Sequence, residues 1–296
     1  MHISLVIKSK VKKYLPKRIY KLVYRIYINI KFYMFRERTN ISLLTFTKPI
    51  YKKIELDGVT FDLKIDPDNG LVDKEIYLNG AYEPKILRII RKNINKDSIC
   101  LDIGTNIGQH AIFMSLVASE GTIYAFEPLK LLVNQINDSI NKNNIKNIQV
   151  NNFGLSNISG TQNVYLDNLN IGRTTFDIRK EAASIEKAEI KIFDEWWEDR
   201  SRVDFLKMDV EGYEYYALKG MKNMLEKYHP TMLIEFTPLF YKKMDIRSED
   251  ILNFIWDLGY SISDIEYNMT IINKADTSIF LDRVKVQTNI ICVYEK

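Results

Sequence analysis

The sequence predicts an α/β protein: a mostly parallel sheet covered by helices on both faces, preceded by a basic helical arm. From Ser98 onward, apolar runs of strand length alternate with amphipathic stretches of helix length. Most of the strand-like runs are apolar throughout, as strands buried on both faces must be. The amino-terminal segment differs in kind: through Lys53 there are 14 Lys and Arg against the single acid Glu37, a net +13. The remainder has 28 basic and 37 acidic residues, a net −9, so the overall +4 conceals a basic arm on an acidic body.

We therefore divide the chain into an arm, 1–53, and a body, 54–296, whose first part, 54–96, is a hairpin and helix leading into the core. Within the arm, "IYKLVYRIYINIKFYMF" places Ile19, Leu22, Val23, Ile26, Ile30 and Tyr33 near the helical period, with Lys17, Lys21 and Arg25 on another face. A basic, tyrosine-rich amphipathic helix suits an anionic membrane surface, and it equally suits packing on its own domain or on a second subunit. Nucleic acid is not expected, because the acidic body would repel phosphate and no base-reading module is present.

In the body, "KKIELDGVTFDLKID" alternates around Asp57-Gly58, which predicts a hairpin. "NGAYEPKILRIIRKNI" predicts a turn and then a helix burying Ile86, Ile89, Ile90 and Ile94. Strand "SICLDIG", helix "HAIFMSLVAS", strand "GTIYAFEP", helix "KLLVNQINDSINKN" and strand "NIQVNNFGLS" follow in order. Residues 161–202 read as irregular. Beyond them come strand "VDFLKMDV", helix "YYALKGMKNMLEKY", strand "TMLIEF", helix "SEDILNFIWDLG" and a closing pair of strands, "YSISDI" and "NIICVYE". Cys100 and Cys292 lie inside apolar strand-like runs and read as small core residues, which fits a reducing cytoplasm. No stretch approaches the roughly 18 uncharged apolar residues of a membrane span, and the opening apolar run is too short for a signal peptide.

In such a sheet a ligand lies at the carboxyl ends of the strands, where strand order reverses. Asp102, Glu127, Asp209, Glu211 and Glu235 all fall at or just past carboxyl ends, so the expected ligand is positively charged. Gly104-Thr105-Asn106-Ile107-Gly108 lacks the middle glycine of a dinucleotide fingerprint, which argues against an NAD-dependent oxidoreductase. Gly104 permits a tight turn and close approach of a ligand, and the helix beginning past Gly108 can hold a carboxylate at its amino end. Glu127, at the end of the next strand, is placed to accept from both hydroxyls of a ribose. A carboxylate, a ribose and a cation together describe S-adenosylmethionine.

The blocks "AYEP", "LDIGTNIG", "AFEP", "GLSNISG", "LKMDVEGYE" and "IEF" resemble the FkbM-type family of S-adenosylmethionine-dependent methyltransferases, over roughly residues 54–296. The resemblance implies a class I methyltransferase (Rossmann-like) fold with a seven-stranded sheet. It also implies that Asp102, Gly104, Asn106, Gly108 and Glu127 hold the cofactor, with Asn157 standing where the family more often has an acid near the adenine amino group.

Methyl transfer to a hydroxyl needs a base. Asp209, Glu211 and Glu235 are the carboxylate candidates, with Glu214 nearby and Lys207 two residues before Asp209 on the same face; His110 is the one histidine on the correct edge. No ligand spacing specifies a metal, and none is expected. Arg173 and the Trp196-Trp197 pair fit either an acceptor pocket or, for the tryptophans, anchorage of the segment to the core. The expected activity is O-methylation of a glycan, glycolipid or related small molecule by a cytoplasmic protein on the inner face of the membrane; a catalytically silent scaffold is the rival reading.

Overall fold

A computed structural model describes residues 49–67, 70–166, 184–197, 202–266, 269–271, 274–284 and 286–295. The amphipathic helix expected in the arm and Arg173 lie outside the described residues.

Strands β1 (Ile50–Leu56) and β2 (Val59–Ile65) form the expected hairpin, with Leu56 paired to Val59. Asp57 and Gly58 between them both have positive φ, 49° and 82°, the backbone that two-residue hairpin turns demand and that Asp-Gly supplies. Two helices follow. One, α1 (Leu71–Asn79), was not foreseen; its carboxyl end is closed by Gly80 at φ 90°, whose N–H donates to the Ile76 carbonyl. The other, α2 (Pro84–Asn93), is the expected one, with Pro84 in its first turn and Ile86, Leu87 and Ile90 buried.

The main sheet has the order β5-β4-β3-β9-β10-β13-β11-β12. Strands β3 (Ile99–Ile103), β4 (Thr122–Phe126), β5 (Ile148–Asn151), β9 (Phe205–Met208) and β10 (Thr231–Phe236) pair in parallel, while β13 (Thr288–Tyr294) inserts antiparallel between β10 and β11 (Tyr260–Asp264). These are the seven strands expected of a class I methyltransferase fold. Strand β12 (Met269–Ile271) adds an eighth at the edge beyond β11. Helices α3 (Gln109–Val117) and α4 (Lys130–Lys142) link β3, β4 and β5. The order reverses between β3 and β9, so a crevice forms at their carboxyl ends.

Residue parity decides the two faces. Cys100, Ile123, Ala125, Phe205 and Leu233 point into a core with the hairpin, α2, α3 and α4. Leu101, Ile103, Phe126, Leu206, Met208, Ile234 and Phe236 point into the core on the other side. That second face is covered by α6 (Glu214–Gly220), α7 (Lys222–Tyr228) and α9 (Ser248–Asp257). Both cysteines are buried and unpaired, on β3 and β13.

Four expectations need correction. "NIQVNNFGLS" is two strands in different sheets, because after β5 the chain turns away into β6 (Gly154–Ser156). The described parts of 161–202 are regular where an irregular segment was expected: β7 (Gly160–Leu166) and β8 (Ser184–Ile192) join β6 in a three-stranded sheet of order β6-β8-β7, and α5 (Phe193–Trp196) follows. The single helix expected after β9 is broken between α6 and α7, where Met221 leaves helical geometry at φ −121°. Helices α8 (Pro238–Lys243) and α10 (Thr277–Arg283) were also unforeseen. Trp197 is buried, stacked on Phe193 at 5.1 Å, and Trp196 meets Phe126 and Phe153 edge-on. The tryptophans anchor the segment to the core.

Candidate active site

The parity that sorts the core also gathers the charge. Asp102 follows Cys100, Glu127 follows Ala125, Lys207 and Asp209 follow Phe205, and Glu235 follows Leu233, each at steps of two. All five therefore belong to the face of the sheet that packs on α2, α3 and α4, and all sit at its carboxyl edge.

At the crevice, Asp102 is fully buried, and neither carboxylate oxygen has a hydrogen-bond partner. The Ala111 amide on α3 faces it without reaching hydrogen-bond geometry. Burial pushes its carboxyl up to about 6, opposed by the nearby ammonium of Lys207. Lys207 Nζ lies 3.9 Å from Asp102 Oδ1 and 3.5 Å from Asp209 Oδ2. Although buried, Lys207 is held up at about 12, because the surrounding carboxylates of Asp209, Asp102, Glu83 and Glu235 outweigh its desolvation.

The glycine loop takes its shape from left-handed residues: Gly104, Asn106 and Gly108 have φ of 77°, 54° and 91°. Close approach at Gly104 is real, but its partner is protein. A Cβ there would lie 1.9 Å from the main-chain oxygen of Asp209, so the glycine loop and the loop after β9 interlock. The amide of Asp209 also donates to the Ile103 carbonyl at 3.0 Å. At Gly108 a Cβ would crowd Ile136 of α4 at 3.1 Å. Glu127 binds the same loop, accepting from the amides of Asn106 at 2.9 Å and Leu129 at 3.0 Å. Burial pushes its carboxyl up to about 7, against those two hydrogen bonds. Each of its oxygens keeps a lone pair for a further donor.

Asp209 is partly exposed beside Lys207. Glu211, in the next turn, adopts φ 53°. Glu235 is buried at the end of β10. Glu214 acts locally, since its Oε1 accepts from the amides of Val210 at 3.0 Å and Gly212 at 3.3 Å and so shapes the loop that carries Asp209 and Glu211. It is fully buried, and desolvation pushes its carboxyl up to about 8. His110 is buried with Nε2 unpartnered. Burial and the neighbouring Lys207 push the imidazole well below its usual range, which makes it a poor proton acceptor. Asn157 stands apart: it is exposed after β6, and its main chain lies against Gly220 at the far end of α6. Asn152 is nearer the crevice, donating from its side-chain amide to the carbonyls of Glu127 at 3.0 Å and Pro128 at 2.9 Å.

Two residues of the site escaped the sequence reading. The Tyr82 hydroxyl is held well above its usual range, first by the charge of Glu83, then by burial, then by Asp209 and Glu235, which places the 81–84 turn at the same cluster. Its ring meets His110 edge-on at 6.4 Å. Gln109, the first residue of α3, clamps this turn by accepting from the Tyr82 amide and donating to the Tyr82 carbonyl, both at 2.8 Å. The signal was the "AYEP" block itself, in which Glu83 at φ 45° precedes a proline that starts a helix.

The donor set fits S-adenosylmethionine. Orphaned Asp102 oxygens suit a cationic group, Glu127 suits paired hydroxyls, and the amino end of α3 beyond Gly108 suits a carboxylate. Among the described residues no group of three His, Cys, Asp or Glu is arranged to hold a metal ion. No helix among them is long and apolar enough to cross a membrane.

A family model described as the methyltransferase FkbM domain matches residues 102–262, more than half of the chain. No curated protein matches significantly. Among solved structures, methyltransferase FkbM from Methylobacillus flagellatus shares 16% identity over 67% of this chain at a TM-score of 0.43, and the match spans only 44% of that protein's own chain. Precorrin-6y C5,15-methyltransferase from Geobacter metallireducens shares 13% over 72% of this chain and 89% of its own, also at 0.43. A SAM-dependent methyltransferase from Aquifex aeolicus shares 15% over 75% and 93%, at 0.42. These structural likenesses are distant, and the family match carries the assignment.

Proposed function

The chain belongs to the FkbM methyltransferase family, and on that premise we propose that it is an O-methyltransferase acting on a hydroxyl of a glycan, a glycolipid or a related small molecule. S-adenosylmethionine is its cofactor. When bound, the cofactor supplies an electrophilic methyl group on a sulfonium. Asp102 faces the cationic part of the cofactor, Glu127 accepts from its ribose, and the amino end of α3 receives its carboxylate. Asp209 and Glu235 end adjacent strands on the face that carries Asp102 and Glu127, and this placement carries the proposal for oxygen chemistry. A carboxylate there takes the proton as the acceptor oxygen forms its new bond. Tyr82 is built into the same cluster and, with its proton tightly held, donates a hydrogen bond to an acceptor oxygen rather than acting as a base.

The acceptor class is read from the family and from the basic arm, residues 1–53, which we propose to rest on an anionic membrane surface on the cytoplasmic side while residues 54–296 carry the chemistry. Nucleic acid is not part of this proposal. Comparing lipid-linked and surface glycans by mass spectrometry with and without the gene should reveal a missing increment of one methylene. Glycans and small metabolites identical in both strains would sink the acceptor proposal. On the acceptor so identified, Asp209→Asn and Glu235→Gln should separate binding from turnover: the residue acting as base loses turnover while cofactor affinity holds. Full activity in both variants would remove both from that role.

A further inference from the structure

Lys207 is a buried cation to which the proposed chemistry gives no role. It occupies the register position directly beside Asp102, since Asp102 pairs with Lys207 across β3 and β9. On the opposite side of Asp102, across β4, the register partner is Ala125, which offers no charge. Glu127 lies just beyond it. From α3 come only the Ala111 amide and His110, whose imidazole is neutral. The remaining groups facing Lys207 are the carboxylates of Asp209, Glu83 and Glu235. Among the groups described around Asp102, Lys207 supplies the positive charge, at 3.9 Å. Its hydrogen bond goes instead to Asp209. Asp102 therefore has an ionic neighbour while both its oxygens stay unengaged. A buried carboxylate with unmade hydrogen bonds would ordinarily take up a proton.

We propose that Lys207 is a positioning residue for the cofactor: from the strand position beside Asp102, its ammonium keeps the Asp102 carboxylate ionised and free to receive the amino-acid end of S-adenosylmethionine. This rests on the cofactor reading of the site. Lys207 acts through Asp102 and does not itself engage the ribose or the adenine, which belong to the Glu127 side of the crevice. Lys207 is also the weakest of the influences that hold the Glu127 carboxyl down, so its removal should weaken the grip on the amino-acid end strongly and the nucleoside end only slightly.

Two ligands read the two ends. S-Adenosylhomocysteine carries both; 5′-methylthioadenosine carries adenine and ribose without the amino acid. Calorimetric titrations of the full chain between pH 5.5 and 8.5 should show wild-type affinity for S-adenosylhomocysteine falling as the solution becomes acid. In Lys207→Met the fall should begin at least one pH unit higher, so that the loss relative to wild type is about twofold at neutral pH and approaches about tenfold at the acid end of the range, one protonation step's worth per unit. Methylthioadenosine affinity should stay within about twofold, a difference small beside the tenfold that one pH unit represents. Lys207→Arg should restore the wild-type profile. An unshifted profile in Lys207→Met, or an equal loss of both ligands, overturns the assignment. Should Lys207→Met fail to fold, the pair Asp102→Asn and Asp102→Asn with Lys207→Gln decides, because removing both charges leaves neither ion stranded. The second change should then add nothing to the loss, and a further loss would overturn the proposal. If the wild-type chain binds neither ligand, the cofactor reading itself fails, an outcome distinct from normal binding that ignores Lys207.

Discussion

Glu127, just past the end of β4, and Glu214, which opens α6 after β9, both follow strands at the carboxyl edge, yet they do different work. Glu127 is bound by two amides and keeps acceptor capacity on the crevice side, so Glu127→Ala should weaken S-adenosylhomocysteine and methylthioadenosine together, by about 1.5–3 kcal/mol. Calorimetry showing unchanged affinity in a folded variant would remove it from the site. Glu214 folds its own loop. Its carboxyl is pushed from 4.5 to about 8 by burial, so the folded protein holds a proton that the unfolded chain has already released between those values. Stability from this group is intact below about pH 4.5 and is lost as pH rises toward 8. Glu214→Gln should keep the amide acceptor and remove that loss. Its melting temperature should match wild type near pH 4.5 and exceed it at pH 8, by the equivalent of at least about 1 kcal/mol. Sequence placed Glu127 at the correct edge as an acid just past a strand's carboxyl end, and Glu214 there as a neighbour of Asp209 and Glu211. It could not tell a ligand carboxylate from a loop-shaping one, because that depends on which amides the folded loop turns inward.

At the level of elements, the parallel strands were legible as short, mostly apolar runs, with an acid at or just past the carboxyl end of β3, β4, β9 and β10. The hairpin was legible from Asp57-Gly58. What was missed lacked a local signal. The start of α7 has no capping residue of its own; the Asp194 carboxylate, some thirty residues away, accepts from the amides of Asn223 at 2.8 Å and Met224 at 3.0 Å. Asp194→Ala should cost about 1 kcal/mol by urea denaturation, the usual worth of a cap. The edge of β2 is closed just as remotely. Gln135 and Ser139 on α4 and Asn143 just past its end, spaced four apart, bond the main chain of Lys64 and Asp62 where another strand would otherwise pair. Asn143 alone serves both the amide and the carbonyl of Asp62, at 2.8 and 2.6 Å. Asn143→Leu should destabilise by about 2 kcal/mol, since two main-chain groups lose their partner. A variant as stable as wild type in urea would show that water substitutes freely there.

For the whole molecule, four buried acids share one direction: Asp73 and Asp102 are pushed to about 6, Glu127 to about 7 and Glu214 to about 8, each chiefly by desolvation. In each case the folded form favours the proton, so stability of the ligand-free protein should decline as pH rises from about 4 to 8. A flat or rising melting temperature across that window would contradict it. Every site residue lies in the described body, so removing residues 1–48 should leave S-adenosylhomocysteine affinity unchanged. If the proposed membrane role of the arm holds, the same truncation should abolish salt-sensitive sedimentation with anionic vesicles, where each basic group contributes about 1 kcal/mol. The charge division between arm and body was plain in the sequence, whereas the partner of the arm is not encoded in its periodicity.

The interlock at Gly104 bears on how ligands come and go. With the Asp209 carbonyl filling the space a side chain would need, and the Asp209 amide tied to Ile103, the two loops of the inner wall of the crevice are braced against each other. We expect this wall to stay closed while a spent nucleoside leaves. Exchange is left to the outer rim, where the 81–84 turn hangs from the paired bonds of Gln109 and the first turn of α4 presents an exposed Leu131. Residence time should therefore be set at this rim, and a substitution at Gln109 should alter the off-rate of S-adenosylhomocysteine in stopped-flow traces more than any substitution in the inner wall that spares the fold.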